Sequence, residues 1–267
     1  MALPLPPGLN HAEVAFLAEM EMVTIVPRQR LESIDLLCGQ TPPLRPPHRA
    51  DLPLWLALLL KKQRRANVVP PPWLHPSSLA EIIHRETKED PSAFSEPPPP
   101  PTAADPARPG HARRLPSFPA QQQHHQQQER DAVLSPPFVP SCTADAPAGY
   151  LPYHWLEVAE QLLAHAGDDV AGLGASAGEV RSLLRDLVEV RAAKMRSSAA
   201  ALEGFGGGLM SLRGVGAIEL AESRGFVLGV VDGVRKIGAG AEAARREREE
   251  EMGGGEGFDG SDEEMGI

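Results

Sequence analysis

The chain has 267 residues, of which 42% are hydrophobic and 4% aromatic, and carries a formal net charge of −10 at pH 7. That length suits one large domain or two modest ones, and the acidic balance excludes a strongly basic nucleic-acid-binding protein. Much of the charge is local, because residues 242–267 hold ten acids against three arginines and leave the body close to neutral.

Pooled composition conceals a segmented chain. Fourteen of the 28 prolines lie between Pro91 and Pro147 and none follows Pro152, whereas 21 of the 25 glycines come after Tyr150. Roughly 190 residues are left for ordered structure, enough for one real core or two small ones. Cys38 and Cys142 are too few and too distant for a disulfide framework or a zinc site. No metal or cofactor is expected. The start of the chain lacks a charged stretch followed by an apolar one, so no secretory signal is expected. The longest apolar run, Leu52 to Leu60, is about half of what a membrane span requires. A soluble, intracellular protein follows.

In chain order, Asn10 followed by Glu13 forms a capping box that opens a short helix over His11 to Glu19. Met22 to Val26 is apolar and β-branched and predicts a strand closed by Pro27. Leu31 to Leu37 is a second strand candidate, and prolines 42, 43, 46 and 47 then impose an extended loop. Pro53 suits the first turn of a helix running to about Ala66, with Leu54, Trp55, Leu58 and Leu59 inward. Val68-Val69 is extended, and Ser77 or Ser78 caps a further helix to about Lys88. From Pro91 to Gly149 a five-proline run, a Gln/His tract and scattered Ala, Ser and Pro predict disorder. Beyond Pro152 apolar residues recur at helical spacing in three stripes. These are Leu151 to Leu163, Val180 to Met195 (with Arg191 on the stripe), and Phe226 to Ile237. They need each other or a partner to be covered, which predicts a helical bundle. Residues 241–252 continue as a charged helix before an acidic tail.

The fold class is thus α+β, mainly α: a small β-rich N-terminal domain followed by a C-terminal helical bundle, with a long disordered insertion and an acidic tail. The expected boundaries are 1–70 for the small domain, 71–90 for a connector and first helix, and 91–149 for the insertion. The helical domain is expected over 150–241 and the tail over 242–267.

Chemistry is sparse in the sequence. No phosphate-binding loop is present, and Gly204 to Gly208 reads as a linker. No Ser-His-Asp or Cys-His set has a local signature, so an enzyme is not expected. Lys61, Lys62, Arg64 and Arg65 cluster at a helix C-terminus, where the helix dipole favours cations; a docking or DNA-facing role competes with that account. His124 and His125 sit in low-complexity sequence. Trp55 suits the domain core, and Trp73, set among prolines, suits packing between domains or subunits. Arg191, Lys194 and Arg196 share the longest helix, and Arg191 is placed to reach a carboxylate across a subunit interface, with a snorkelling surface helix as the alternative. Ser261 before Asp-Glu-Glu fits an acidophilic kinase site.

Several segments together resemble a known family. They are Ala-Glu-Val-Ala-Phe-Leu-Ala-Glu (12–19), Val-Thr-Ile-Val-Pro (23–27), Leu-Pro-Leu-Trp-Leu-Ala (52–57) and Val-Pro-Pro-Pro-Trp-Leu (69–74). After the insertion follow Pro-Tyr (152–153), Leu-Leu-Ala-His-Ala (162–166), Glu-Val-Arg-Ser-Leu-Leu-Arg-Asp (179–186), Val-Arg-Ala-Ala-Lys-Met-Arg (190–196) and Ile-Glu-Leu (218–220). The series is similar to the "partner of Sld five, number two" subunit family of the GINS complex. The resemblance implies a non-catalytic subunit of a heterotetramer with three other GINS subunits, acting in the nucleus in initiation of DNA replication and in fork progression. It further implies a replicative helicase formed with the MCM hexamer and the Cdc forty-five protein, with DNA contact indirect or weak, and neither membrane nor small-molecule substrate. Residues 91–149, Gly204 to Gly208 and the acidic tail depart from the family pattern. Two other readings are a DNA-binding factor acting through residues 61–65 and a transcriptional adaptor acting through the Pro/Gln insertion.

Overall fold

The computed structural model describes residues 8–37, 39–99, 140–172, 174, 176–202 and 212–253. Contacts divide the chain into two compact units, residues 1–196 with 211–223, and residues 197–210 with 224–267. The Gln/His tract with His124 and His125, the Gly204 to Gly208 run and Ser261 lie outside the described residues.

In the first unit, helix α1 (His11–Ala18) opens on the expected capping box. Asn10 Oδ1 accepts the Glu13 N–H at 2.9 Å, and Glu13 Oε2 accepts the Asn10 N–H at 2.8 Å. Strand β1 (Met22–Pro27) is central in a three-stranded antiparallel sheet, between β4 (Ala50–Pro53) and β5 (Ala66–Val69). The register pairs Val23 with Leu52 and Ile25 with Val68. Covered on both faces, β1 buries Val23, Thr24 and Ile25, and Thr24 donates its hydroxyl to Asp51 Oδ1 at 2.5 Å while accepting the Ala144 N–H. Strands β2 (Asp35–Leu36) and β3 (Gly39–Gln40) form a separate hairpin.

Helix α2 (Leu54–Lys62) follows β4 without a loop. Pro53 supplies no capping side chain, so the first N–H groups find backbone acceptors: Leu54 bonds the Glu21 carbonyl and Trp55 the Glu19 carbonyl. A 3₁₀ turn (Pro72–Leu74) leads to α3 (Pro76–His84), which ends in one π-helical turn over Arg85–Glu89. Then come α4 (Trp155–His165), α5 (Gly167–Ala171), α6 (Ala177–Leu202) and α7 (Ala217–Gly253). One apolar core joins the sheet and α2 to α3, α4 and α6, and includes Ile25, Leu54, Trp73, Leu79, Trp155, Leu162 and Leu187. The α+β, mainly helical fold with its small N-terminal sheet is as the sequence predicts. No described helix is long and apolar enough to cross a membrane.

Local expectations differ at five places. The strand expected over Leu31 to Leu37 shrinks to two residues, because Gly39 at φ 122° turns the chain back and Leu31 pairs only with Leu44. Helix α2 ends at Lys62 rather than near Ala66, since Ala66 is needed in β5 opposite Pro27. Its inward face is Leu54, Leu56, Ala57 and Leu60; Trp55 and Leu58 are half-buried and Leu59 is exposed, because α2 packs on both the sheet and α4. At α3 the cap is His75, whose Nδ1 accepts the Ser77 N–H, with Pro76 in the first helical position where it lacks nothing. Finally, the segment expected to be disordered over 91–149 is placed at both flanks: Ser95, Ser141, Cys142, Thr143 and Ala146 are buried, and Cys142 bridges Val23 of β1.

In the second unit, the distal part of α7 keeps Phe226 and Ile237 exposed and half-buries Val230, Val231 and Val234. Its charged end carries an Arg245–Glu249 pair at 2.8 Å.

Candidate subunit-docking surfaces and the buried ion cluster

The most developed polar site of the first unit surrounds Arg191. Helix α6 turns its Val180, Leu184 and Leu187 stripe into the core and carries Arg191 on that same face, so the guanidinium is 1% exposed. Burying an isolated guanidinium is costly, and the fold compensates with four hydrogen bonds to acceptors. Nη1 donates to Glu86 Oε1 at 2.5 Å, Nε to Glu219 Oε1 at 2.6 Å, and Nη2 to Glu219 Oε2 at 2.9 Å and to the Gly214 carbonyl at 2.6 Å. Its Cζ lies over the Phe94 ring, 4.9 Å from the centroid. One helical turn on, Lys194 Nζ reaches Glu86 Oε2 at 3.3 Å and the carbonyls of Asp90 and Ala93 at 3.0 and 2.6 Å. Glu86 also accepts the Ser95 N–H, and Glu219 accepts the Gly216 N–H.

Two cations thus face two carboxylates. Burial alone would raise the Glu86 carboxyl, but Arg191, with the Ser95 N–H and Lys194, holds it below the usual carboxylate range. Burial would likewise weaken Arg191 as a cation, and Glu219 and Glu86 reverse that. The cluster ties the turn after α3, the 93–96 segment, α6 and the start of α7 together. The carboxylate expected across a subunit interface is therefore supplied twice from within this chain. Arg196 is exposed one turn beyond. Glu86 and Glu219 escaped sequence reasoning, for they lie 105 and 28 residues from Arg191 and each reads as a surface acid on an exposed helix face.

A second buried set joins the sheet to α4. Glu21, just before β1, is fully buried beside Cys142, Glu157 and His154, with the Cys142 thiol against a carboxyl that meets no nitrogen or oxygen donor. His154 Nδ1 approaches Glu157 Oε1 at 3.4 Å. Burial pushes the Glu21 carboxyl up to about 7; His154 pulls it down and Glu157 adds to the rise. The Cys142 thiol is pushed up by burial and then by Glu21, so it is an inert core thiol. Among the described residues, no group of three or more His, Cys, Asp and Glu side chains is placed to hold a metal ion.

The basic cluster at 61–65 divides. Lys61 is largely buried and paired with Asp168 and Asp169 of α5 at 2.7 and 2.8 Å, and Asp169 also accepts the Val68 N–H. The hydrogen bond from Lys61 holds Asp168 below the usual carboxylate range. Lys62, Arg64 and Arg65 are exposed. Of the tryptophans, Trp73 is fully buried with Nε1 donating to the Ser141 carbonyl at 3.2 Å, while Trp55 is half-buried against the core. Trp73 packs between α3 and the returning 140–146 segment of its own chain, so the fold itself occupies that side chain.

Exposed apolar side chains gather on two helices. Phe16 and Leu17 of α1, with Leu9 and Met20 flanking it, are 68%, 45%, 53% and 43% exposed; α7 exposes Leu220, Phe226, Leu228 and Ile237. Helix α1 holds itself with the opposite face, where Val14 packs with Ala217 and Ile218. Such faces on a helix that is already anchored suit further protein partners.

Known families cover nearly the whole described chain. Residues 10–69 match the PSF2 N-terminal domain, and residues 73–238 match the GINS complex protein helical bundle domain. The DNA replication complex GINS protein psf2 of Neurospora crassa is 71% identical over 276 residues, covering 100% of both chains. The protein of that name from Gibberella zeae is 66% identical over 267 residues, again covering 100% of both. That of Schizosaccharomyces pombe is 28% identical over 239 residues, covering 89% of this chain and 96% of the relative.

Proposed function

Because this chain belongs to the PSF2 family of GINS complex subunits of DNA replication, we propose that it acts as a non-catalytic staple, joining three other GINS subunits and bringing them to the replicative helicase. The MCM hexamer and the Cdc forty-five protein are the further partners in this reading, and the nucleus is the site of action. The carrying observation is the pair of apolar faces on α1 and α7. Helix α1 is already anchored through Val14, and large side chains such as Phe16 at 68% and Ile237 at 75% exposure are costly to leave in water. The buried ion cluster and the continuous core rigidify the first unit, which presents α1. We place the boundary between the small domain and the helical domain near residue 70, where β5 ends and the proline connector begins.

Co-expression with three other GINS subunits, followed by sizing with light scattering, tests the reading. A single species of equal stoichiometry is expected, together with poor solubility of the chain alone. A stable monomer that ignores the other three subunits refutes it.

A further inference from the structure

The sheet topology brings most of the cations of the N-terminal domain toward one end of the sheet. All eight Lys and Arg residues between positions 10 and 69 follow β1, precede β4 or precede β5. With β1 antiparallel to both neighbours, Ile25 pairs with Ala50 and Pro27 with Ala66, so those three connections meet at one end of the sheet. Arg28 and Arg49 are the first residues beyond the strands there, and Lys62, Arg64 and Arg65 arrive from the α2–β5 turn. Arg28 is fixed by its backbone N–H on the Arg65 carbonyl at 2.7 Å and by Nε on Asn67 Oδ1 at 2.9 Å. A cleft here is lined by Arg28, Lys61, Lys62, Arg64 and Ala66, with Asp168 at its rim engaged by Lys61. Among the described residues no ion pair reaches Lys62, Arg64 or Arg65. On the same connections the acids are Glu32, ahead of the β2–β3 hairpin, and Asp35, in β2 itself.

The backbone adds an independent observation. Helix α2 ends in a Schellman arrangement, with the Arg64 N–H on the Lys61 carbonyl at 2.8 Å and the Arg65 N–H on the Leu60 carbonyl at 2.9 Å. The residue after the cap must then be left-handed, and glycine is the usual occupant. Here it is Arg64 at φ 58°, the one non-glycine residue with positive φ among the described residues. A side chain held in a costly conformation where glycine would serve points to a use for that side chain.

We propose that this cationic end of the sheet is a phosphate-contacting surface for DNA, through which the subunit holds a strand's backbone without reading its bases. Point charges and guanidinium forks suit phosphate oxygens. The cleft offers no aromatic or large apolar anchor of the kind that centres a protein interface or stacks bases. The inference rests on the subunit reading above, which places the chain in a replication complex.

The test titrates the assembled GINS complex, and in parallel the full chain alone, with labelled single-stranded and duplex oligonucleotides at about 50, 100 and 200 mM salt. Lys62→Ser/Arg64→Asn/Arg65→Ser keeps the turn, because asparagine tolerates left-handed backbone. Binding is expected to weaken about tenfold or more at low salt, and the slope of log affinity against log salt to fall by about 2 to 3. Arg64→Gly separates fold from function: the melting temperature holds or rises while affinity and slope fall. Equal affinity and slope in the triple variant overturn the proposal, as does the absence of salt-dependent binding in the parent. Preferential displacement of DNA by polyglutamate assigns the surface to an acidic protein segment and also overturns it. Because the full chain is titrated as well, failure to assemble counts against the subunit reading and leaves this result readable.

Discussion

Arg191 Nη1 and Glu86 Oε1 meet at 2.5 Å across 105 residues of sequence, and each side chain is only 1% exposed. A pair so placed is worth little as a replacement for apolar packing, yet removing one member is expensive because the other stays buried and charged. Arg191→Met leaves Glu86 paired with Lys194, takes the Arg191 ion pair from Glu219 and frees the Gly214 carbonyl. We expect a loss of about 3 to 5 kcal/mol in urea unfolding. Arg191→Lys keeps the charge and loses the fork, so it falls between. An unchanged midpoint for Arg191→Met contradicts the assigned role.

Glu21 gives a pH dependence of defined sign. Its carboxyl rises from 4.5 to about 7 on folding, through burial first and the Glu157 charge second, against the pull of His154. The folded state therefore holds a proton that the unfolded chain releases. Stability is full below about pH 4.5, declines as pH rises through 7, and levels off above, with a total of order 3 kcal/mol. Glu21→Gln removes that slope and is more stable than the parent at pH 8. Thermal melts of both proteins at pH 5, 6, 7 and 8 check this; parallel curves for parent and variant refute it.

What the sequence made legible follows from where the signal is local. The Asn10–Glu13 capping box, the β-branched run of β1 and the Val180 to Met195 stripe all express short-range rules, and each element is found where those rules put it. Helix α2 was misread at its end because the demand that stops it, Ala66 pairing with Pro27, comes from another strand. Its inward face was misread because nothing in the run Leu-Trp-Leu-Ala-Leu-Leu-Leu says that it is packed from two sides. The placed flanks of the insertion were illegible for a related reason. Pro-rich sequence around Cys142 has no periodicity, and its order comes from the buried Trp73 donating to the Ser141 carbonyl. Glu86 and Glu219 are hidden by their distance in sequence from Arg191 and because each reads as a surface acid.

Phe16 separates folding from assembly. It stands on the outer face of α1 at 68% exposure, whereas Val14 and Ala18 hold the helix from the other side. Phe16→Glu should change the stability of the chain by less than about 0.5 kcal/mol. If α1 docks another subunit, the same change puts a charge into an apolar interface and weakens the complex by about 2 kcal/mol or more. Sizing of the co-expressed complex across a dilution series reads the difference. Normal assembly with Phe16→Glu removes α1 from the docking surface and leaves α7 as its remaining candidate.

Deletions distinguish the placed flanks from the stretch between them. Removing 91–149 takes away the Ser141 carbonyl that receives Trp73, the Cys142 bridge to β1, the Ala144 N–H on Thr24, and the Ala93 carbonyl that receives Lys194. Several buried groups then lose their partners at about 1 to 3 kcal/mol each, more than a marginally stable domain can lose. Replacing only 100–139 by a short Gly/Ser linker keeps every one of these contacts, and changing the length of a connecting segment alters closure entropy only slowly. Assembly of the GINS complex and its melting temperature should therefore survive the shorter deletion and fail with the longer one. Loss of replication function with the 100–139 replacement, in a complex that still assembles and melts normally, would favour an adaptor role for that segment over a staple built from the folded body.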